Sequence, residues 1–301
     1  MTAASDYASL TARVRAARSS LVSDQTFLRL AALPDARAVL ALLADTPYAS
    51  ELSGLSGSSS PSEFDSAVGT HLKRAFRSLR RWAAGEAART LPTVLARGDV
   101  QDLKAILRGA WGEVSADEVR LAISGLGNLP DQAWEDMLVR PGVEGRLAVL
   151  DRWLPSWSAK LRETARQPGH GLADLEDALD RVYFRQLIDV DGYAPWDSRK
   201  VLATFGRRLL ILDDRRTRLR LEGEPEDEGG GGRGRAAVER ELDLEEFRIA
   251  RSLYLAPALT LGPAVGWIWE KLREARLIRL ILRGKREGLL PEVLAAEVTG
   301  G

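Results

Sequence analysis

The sequence predicts an all-α fold, and three observations carry that expectation. Helix-capping and helix-breaking signals recur along the chain, whereas strand signals are confined to one short stretch. A helical phrase is written twice, as DVQDLKAILRGA (Asp99–Ala110) and EARLIRLILRGK (Glu274–Lys285), each opening on an acid and closing on Ile-Leu-Arg-Gly. Hydrophobic residues make up 45% of 301, ample for a core, because a chain of this size buries about 75% of its unfolded surface.

The elements follow in order. Pro34-Asp35 opens ARAVLALLA, which stops before Thr46-Pro47. GLSGSSS reads as a flexible loop. Ser60-Pro61-Ser62-Glu63 then offers an N-cap, a proline at the first helical position and a capping-box glutamate. A long helix is expected from Pro61 to Arg89, weak at Gly85 and ended by Leu91-Pro92. Ser115-Ala116-Asp117-Glu118 repeats the capping box before VRLAI, and Pro130-Asp131 opens AWEDMLV. LLIL (209–212) and RLRL (218–221) are candidates to pair as a hairpin across DDRRT, although runs this short fit strand or helix. EGEPEDEGGGGRGR (Glu222–Arg235) reads as a flexible acidic and glycine-rich linker that lacks the apolar surface to order itself. Ser252–Trp269 carries no charge and approaches the roughly 17–25 residues of a membrane-spanning helix. Pro257 and Gly262-Pro263 interrupt it, so it is expected to form two buried helix segments meeting at a bend.

In the repeated phrase Leu103, Ile106 and Leu107 share one helical face, and Ile278, Ile281 and Leu282 take the same places. Lys104 and Arg279 lie between them, and each copy ends in Arg-Gly, a glycine suited to ending or bending a helix. A weaker third copy, DSRKVLATFG (Asp197–Gly206), keeps the acid and sets Val201 and Phe205 where Leu103 and Leu107 stand. Three copies predict three related helical units around a shared axis, at 1–114, 115–221 and 236–301, with 222–235 as linker. Arg108 and Arg283 are the candidate partner-contact residues. At equivalent helix ends they either face a socket and meet a partner's carboxylates, or cap carbonyls of their own helices.

Other chemistries lack their residues. Lys plus Arg (43) equals Asp plus Glu (43), which argues against a general nucleic-acid coat. No cysteine is present, so disulfides and thiolate chemistry are excluded. No phosphate-loop motif occurs, and GGGGRGR follows an acidic coil rather than a strand. The histidines are His71 and His170 alone, without an H-E-x-x-H pattern, so no metal and no cofactor is expected. His170, in QPGHG, reads as a loop residue. The acids Asp213-Asp214 and Glu245-Glu246 are adjacent in sequence and do not share a helix face. Lys73, Arg74, Arg77, Arg80 and Arg81 form a basic helical stripe, read as a solvated face paired to nearby acids, the alternative being an acidic partner or anionic headgroups. Trp153 and Trp157, four apart, and Trp267 and Trp269 read as core. The N-terminus, with Asp6 and no apolar run, does not read as a secretory signal.

Nearly end to end, the order of phrases resembles the C subunit of the V/A-type rotary ATPases, the family of the d subunit of the eukaryotic vacuolar enzyme. The residues that carry the resemblance are YASLTARVRAARSSLV, FLRLA and VLALLADTPYASEL, then the Asp-x-x-Asp-Leu helix at Asp99–Arg108, then GPAVGWIWEKLREARLIRLILRGKREGLLPEVL at Gly262–Leu294. Leu277 stands where the family often has Asn, Lys200 holds the corresponding place of the middle copy, and 207–235 matches no family phrase. The resemblance implies an all-helical, funnel-shaped, non-catalytic subunit of three similar units. It would lie at the cytoplasmic face of the membrane without a transmembrane segment. Its implied partners are the central-stalk subunits and the proteolipid rotor ring, between which it would pass torque for proton or sodium transport coupled to ATP. Without the resemblance, the residues fit a free-standing helical scaffold or regulator equally well.

Overall fold

The computed structural model describes residues 3–190, 196–222 and 235–299. Among them the chain forms fifteen α-helices and no strand. They are α1 (Ala3–Arg18), α2 (Asp24–Ala32), α3 (Ala36–Leu43), α4 (Ala49–Leu52), α5 (Pro61–Trp82), α6 (Gly85–Trp111), α7 (Ala116–Ala122) and α8 (Asp131–Leu138). There follow α9 (Gly142–Trp153), α10 (Pro155–Ala165), α11 (Leu172–Ile188), α12 (Trp196–Glu222), α13 (Arg235–Ser252), α14 (Gly262–Arg286) and α15 (Pro291–Thr299). The all-α expectation holds. Of the expected linker, 222–235, the first and last residues belong to α12 and α13, and 223–234 lie outside the described residues.

Local sequence sets most helix starts. Ser60 caps α5 by accepting the Glu63 N–H at 3.2 Å, and Glu63 accepts the Ser60 N–H in return at 2.6 Å. Ser115 and Glu118 do the same for α7, and Asp35 caps α3 through the Ala38 N–H. The uncharged run 252–269 is interrupted as expected but holds one buried helix segment, not two: α13 ends at Ser252, a 3-10 turn covers Leu253–Leu255 with Leu255 89% exposed, and the buried α14 starts at Gly262.

Three sequence readings are settled by the structure. The helix from Pro61 stops at Trp82, and the break falls at Gly85, whose φ of +48° favours glycine. A Cβ there would overlap the Asp6 carboxylate, which accepts the Glu86 N–H at 3.2 Å and so opens α6. Pro92 lies inside α6 and does not end it. The candidate hairpin does not form and the helical alternative holds: 209–212 and 218–221 both belong to α12. Leu202, Phe205, Leu209 and Leu212 are buried while Ile211 is 60% exposed, a helical period that a four-residue window hides. Trp157 is core as expected, but Trp153 is only half-buried, because the chain turns at Leu154-Pro155 and sets the two on different helices.

The chain forms two compact units, one of Met1–Ala87 with Arg218–Gly301, the other of Ala88–Thr217. In the first, α14 is the central helix. Every residue from Gly262 to Trp269 is buried, as are Ile278, Ile281 and Leu282, and α1, α2, α3, α5 and α13 pack around it. Each such aliphatic side chain contributes about 1.5–3 kcal/mol on burial. In the second unit α8, α9, α10 and α11 pack in succession. There α6 buries Val100, Leu103, Ile106 and Leu107, and Tyr183 of α11 donates its hydroxyl to the Val94 carbonyl of α6 at 3.3 Å.

Candidate partner interface

The repeated phrase lies on α6 in one unit and on α14 in the other, and its opening acid does the same work in both. Asp99 is 1% exposed and accepts the Asn128 N–H at 2.8 Å and the Leu129 N–H at 2.9 Å. Glu274 is 2% exposed, accepts the Val22 N–H at 2.7 Å and is paired with buried Lys271. Each acid thereby pins the loop that leads into a short helix beginning Asp-Gln. These are α8, which buries Trp134 and Met137, and α2, which buries Phe27 and Leu30. Asp102 adds bonds from the Ser124 and Gly125 N–H groups at 2.6 and 2.8 Å. Gly98 and Gly127 meet backbone to backbone beneath this loop, where a Cβ on Gly98 would come within 2.8 Å of the Leu126 carbonyl carbon. In the third copy Asp197 is exposed, whereas Phe205 is buried.

The closing arginines also find equivalent partners. Arg108 grips Glu176 of α11 side-on, Nε to Oε1 at 2.6 Å and Nη2 to Oε2 at 2.9 Å. One turn earlier, Lys104 bonds Asp180 at 2.5 Å, which Arg97 also reaches at 3.1 Å. Arg283 bonds Asp65 of α5, and Arg279 lies 3.6 Å from the same carboxylate. Counted from their helix starts, the two acids hold the same position. Asp65 stands five past Ser60, the N-cap of α5, and Glu176 five past Gly171, the N-cap of α11. Both helices also carry an acid at the third position, Glu63 and Asp174, bonded back to the N-cap N–H. The arginines therefore reach carboxylates of a neighbouring helix; they do not cap carbonyls of their own. Their side chains remain 61% and 51% exposed, against 15% for Glu176 and 28% for Asp65.

Electrostatics vary along these seams. The bond to Glu176 raises the Arg108 pKa further, and burial lowers that of Arg279. Burial pushes the Asp102 carboxyl up to about 6. Asp213 of α12, 2% exposed, is likewise pushed up to about 6, by burial first and then by Asp180 and Asp177; Arg181 stands 3.6 Å from it. Burial, then the Lys271 charge, lowers His71 to about 4, and its ring stacks on buried Tyr48 at 3.7 Å.

The remaining sequence candidates fall into place. In the basic stripe Arg74 bonds Ser50, Glu51 and the Pro47 carbonyl, while Lys73 and Arg77 are exposed. His170 lies in a turn beside the Gln167 carbonyl. Trp267 and Trp269 are core. A cleft of about 360 Å³ in the first unit is rimmed by Arg18, Glu270, Arg251, Asp24 and Arg273, whose charges pair in that order. Among the described residues no group of three or more His, Cys, Asp or Glu is placed to hold a metal. Nor is any helix among them long and apolar enough to cross a membrane. Sequence reasoning missed Asp65 and Glu176; their matching offset from two capped helix starts is the signal that points to them.

The family described as ATP synthase (C/AC39) subunit matches residues 10–206, well over half of the chain. The chain belongs to that family. Among curated proteins, the C subunit of the A-type ATP synthase of Haloferax volcanii is 25% identical over 95% of both chains. That of Haloquadratum walsbyi is also 25% identical, over 60% of this chain and 52% of its own length. That of Methanococcoides burtonii is 24% identical over 67% of this chain and 56% of its own length. In this C/AC39 member the family match ends at Gly206, so α14 and Arg283 lie beyond it, and the Haloferax alignment runs almost end to end.

Proposed function

We propose that this chain is the non-catalytic adaptor of an A/V-type rotary ATP synthase, joining a proteolipid rotor ring to the soluble central stalk. It would lie peripherally at the cytoplasmic face and pass torque between ion flow and ATP chemistry. One observation supports the site most strongly: Arg108 and Arg283 end equivalent helices in two different units, each more than half exposed. Acidic groups of the stalk are the partners such forks suit. The relatives are each named as the C subunit of an A-type ATP synthase, which supports the setting. The partition into 1–114, 115–221 and 236–301 belongs to the same proposal.

The test is a titration of the full chain with a complex of central-stalk subunits. Reversing both arginines, Arg108→Glu with Arg283→Glu, is expected to weaken binding at least about tenfold while helicity is kept; charge-assisted bonds are worth about 1.5–3 kcal/mol each when well paired. Arg108→Gln with Arg283→Gln controls for repulsion against Glu176 and Asp65. The isolated chain is expected neither to bind nor to hydrolyse ATP. Stalk binding unchanged by the reversals would remove the arginines from the interface. Wild-type chain that binds neither stalk nor ring would leave the free-standing scaffold as the better reading.

A further inference from the structure

The arginine forks are only half used. A guanidinium carries five N–H donors. Arg108 gives Nε and one Nη2 hydrogen to Glu176, and among the described residues its Nη1 has no protein partner. Among the described residues Arg283 meets Asp65 through Nη2 alone. Arg108 is thus gripped from the side by a carboxylate of its own unit, which leaves its end-on edge for a second, planar acceptor, whereas Arg283 is held at one Nη by a carboxylate of its own unit, which leaves Nε and Nη1 for one. The arrangement is built twice, by two different acids at the same offset from a capped helix start. The acids are well shielded and the arginines more than half exposed, so the carboxylate is the fixed member of each pair and the guanidinium the presented one.

We propose that Glu176 and Asp65 are positioning residues, which hold Arg108 and Arg283 with their remaining N–H donors turned to a partner's carboxylates. This rests on the adaptor reading above and names the chemistry of the contact. A free arginine has many rotamers to lose on binding. A side-gripped one has lost most of them in the free chain, so the incoming carboxylate meets a preorganised donor.

The sign of one effect separates this from plain electrostatics. Glu176→Gln and Asp65→Asn each remove a negative charge beside the landing place of a carboxylate, and Coulomb attraction alone would then tighten stalk binding. Positioning requires the opposite. Each substitution is expected to weaken binding by about three- to tenfold, the scale of one immobilised side chain, and Glu176→Asp, which keeps the carboxylate, should recover part of the loss. Unchanged or tighter binding by the Gln and Asn variants, alongside weak binding by the arginine reversals, would overturn the positioning role and leave the interface standing. A second readout needs no partner: nitrogen-15 relaxation of the Arg108 Nε–H in the free chain. It should be rigid in wild type and mobile in Glu176→Gln. An Nε–H as mobile in wild type as in the variant would overturn the proposal whether or not the stalk binds.

Discussion

Removing the opening acid of each phrase should cost stability in a set order. Asp99→Ala deprives the Asn128 and Leu129 N–H groups of their acceptor. An unsatisfied buried donor costs about 1–3 kcal/mol, and relief of a buried charge beside Asp102 offsets part of this, so a net loss of about 2–4 kcal/mol is expected. Glu274→Ala frees the Val22 N–H and also strands Lys271, which is 3% exposed. Breaking a buried pair costs about 3–5 kcal/mol, so this variant should be the least stable. Asp197→Ala touches an exposed acid and should lie within about 0.5 kcal/mol of wild type. Urea unfolding followed by circular dichroism gives the order, and amide exchange across 124–129 localises the Asp99 effect, with protection lost at Asn128 and Leu129. An Asp99→Ala variant as stable as Asp197→Ala, with its loop amides still protected, would refute the claim that the acid pins the loop.

Two further outcomes are expected. The folded pKa of Asp213, about 6, lies above its ordinary 3.8, so its contribution to stability is full below about pH 3.8 and is lost as pH rises through 6. Asp213→Asn should therefore raise stability at pH 8 by about 2–3 kcal/mol, less the loss of the Arg181 contact, and flatten the fall between pH 4 and 7; a variant less stable than wild type at pH 8 would show that the charged form is well accommodated. Gly98→Ala would gain about 1 kcal/mol in an ordinary exposed helix. Here the Cβ meets the loop backbone at Leu126 and Gly127, so thermal unfolding should instead show a loss of about 1–3 kcal/mol, and a gain would mean that the loop can retreat.

What the sequence made legible is what is encoded locally. The starts of α3, α5 and α7 were readable because Asp35, Ser60 with Glu63, and Ser115 with Glu118 act within four residues of themselves. Gly85 was readable only as a weak point; that the helix breaks there was not, because the break is shaped by Asp6, 80 positions from the Glu86 N–H it accepts. The α12 stretch stayed open between strand and helix because four residues of Leu and Ile carry no period, whereas the spacing 202, 205, 209, 212 does. The arginines stood out by repetition, but their partners lie 68 and 218 positions away. Separations of that kind are set by packing, which no local pattern encodes.

The two copies keep their contacts more faithfully than their residues. Asp99 is matched by Glu274, Glu176 by Asp65, and the two acids Asp180 and Glu176 of one unit by the single Asp65 of the other. Folding explains the first correspondence, since a buried acid that satisfies loop N–H groups stabilises its unit by several kcal/mol. It gives little reason for the second. An ion pair whose arginine is more than half exposed contributes about 0–1 kcal/mol, because water screens it and two side chains must be ordered to form it. A pair of so little worth to the fold, built twice with opposite choices of Asp and Glu, is better accounted for by what the guanidinium presents outward. The amide-exchange and stalk-binding measurements divide along this line. Substitutions at Asp99 and Glu274 should act on stability, and substitutions at Glu176 and Asp65 on association, with little transfer between the two.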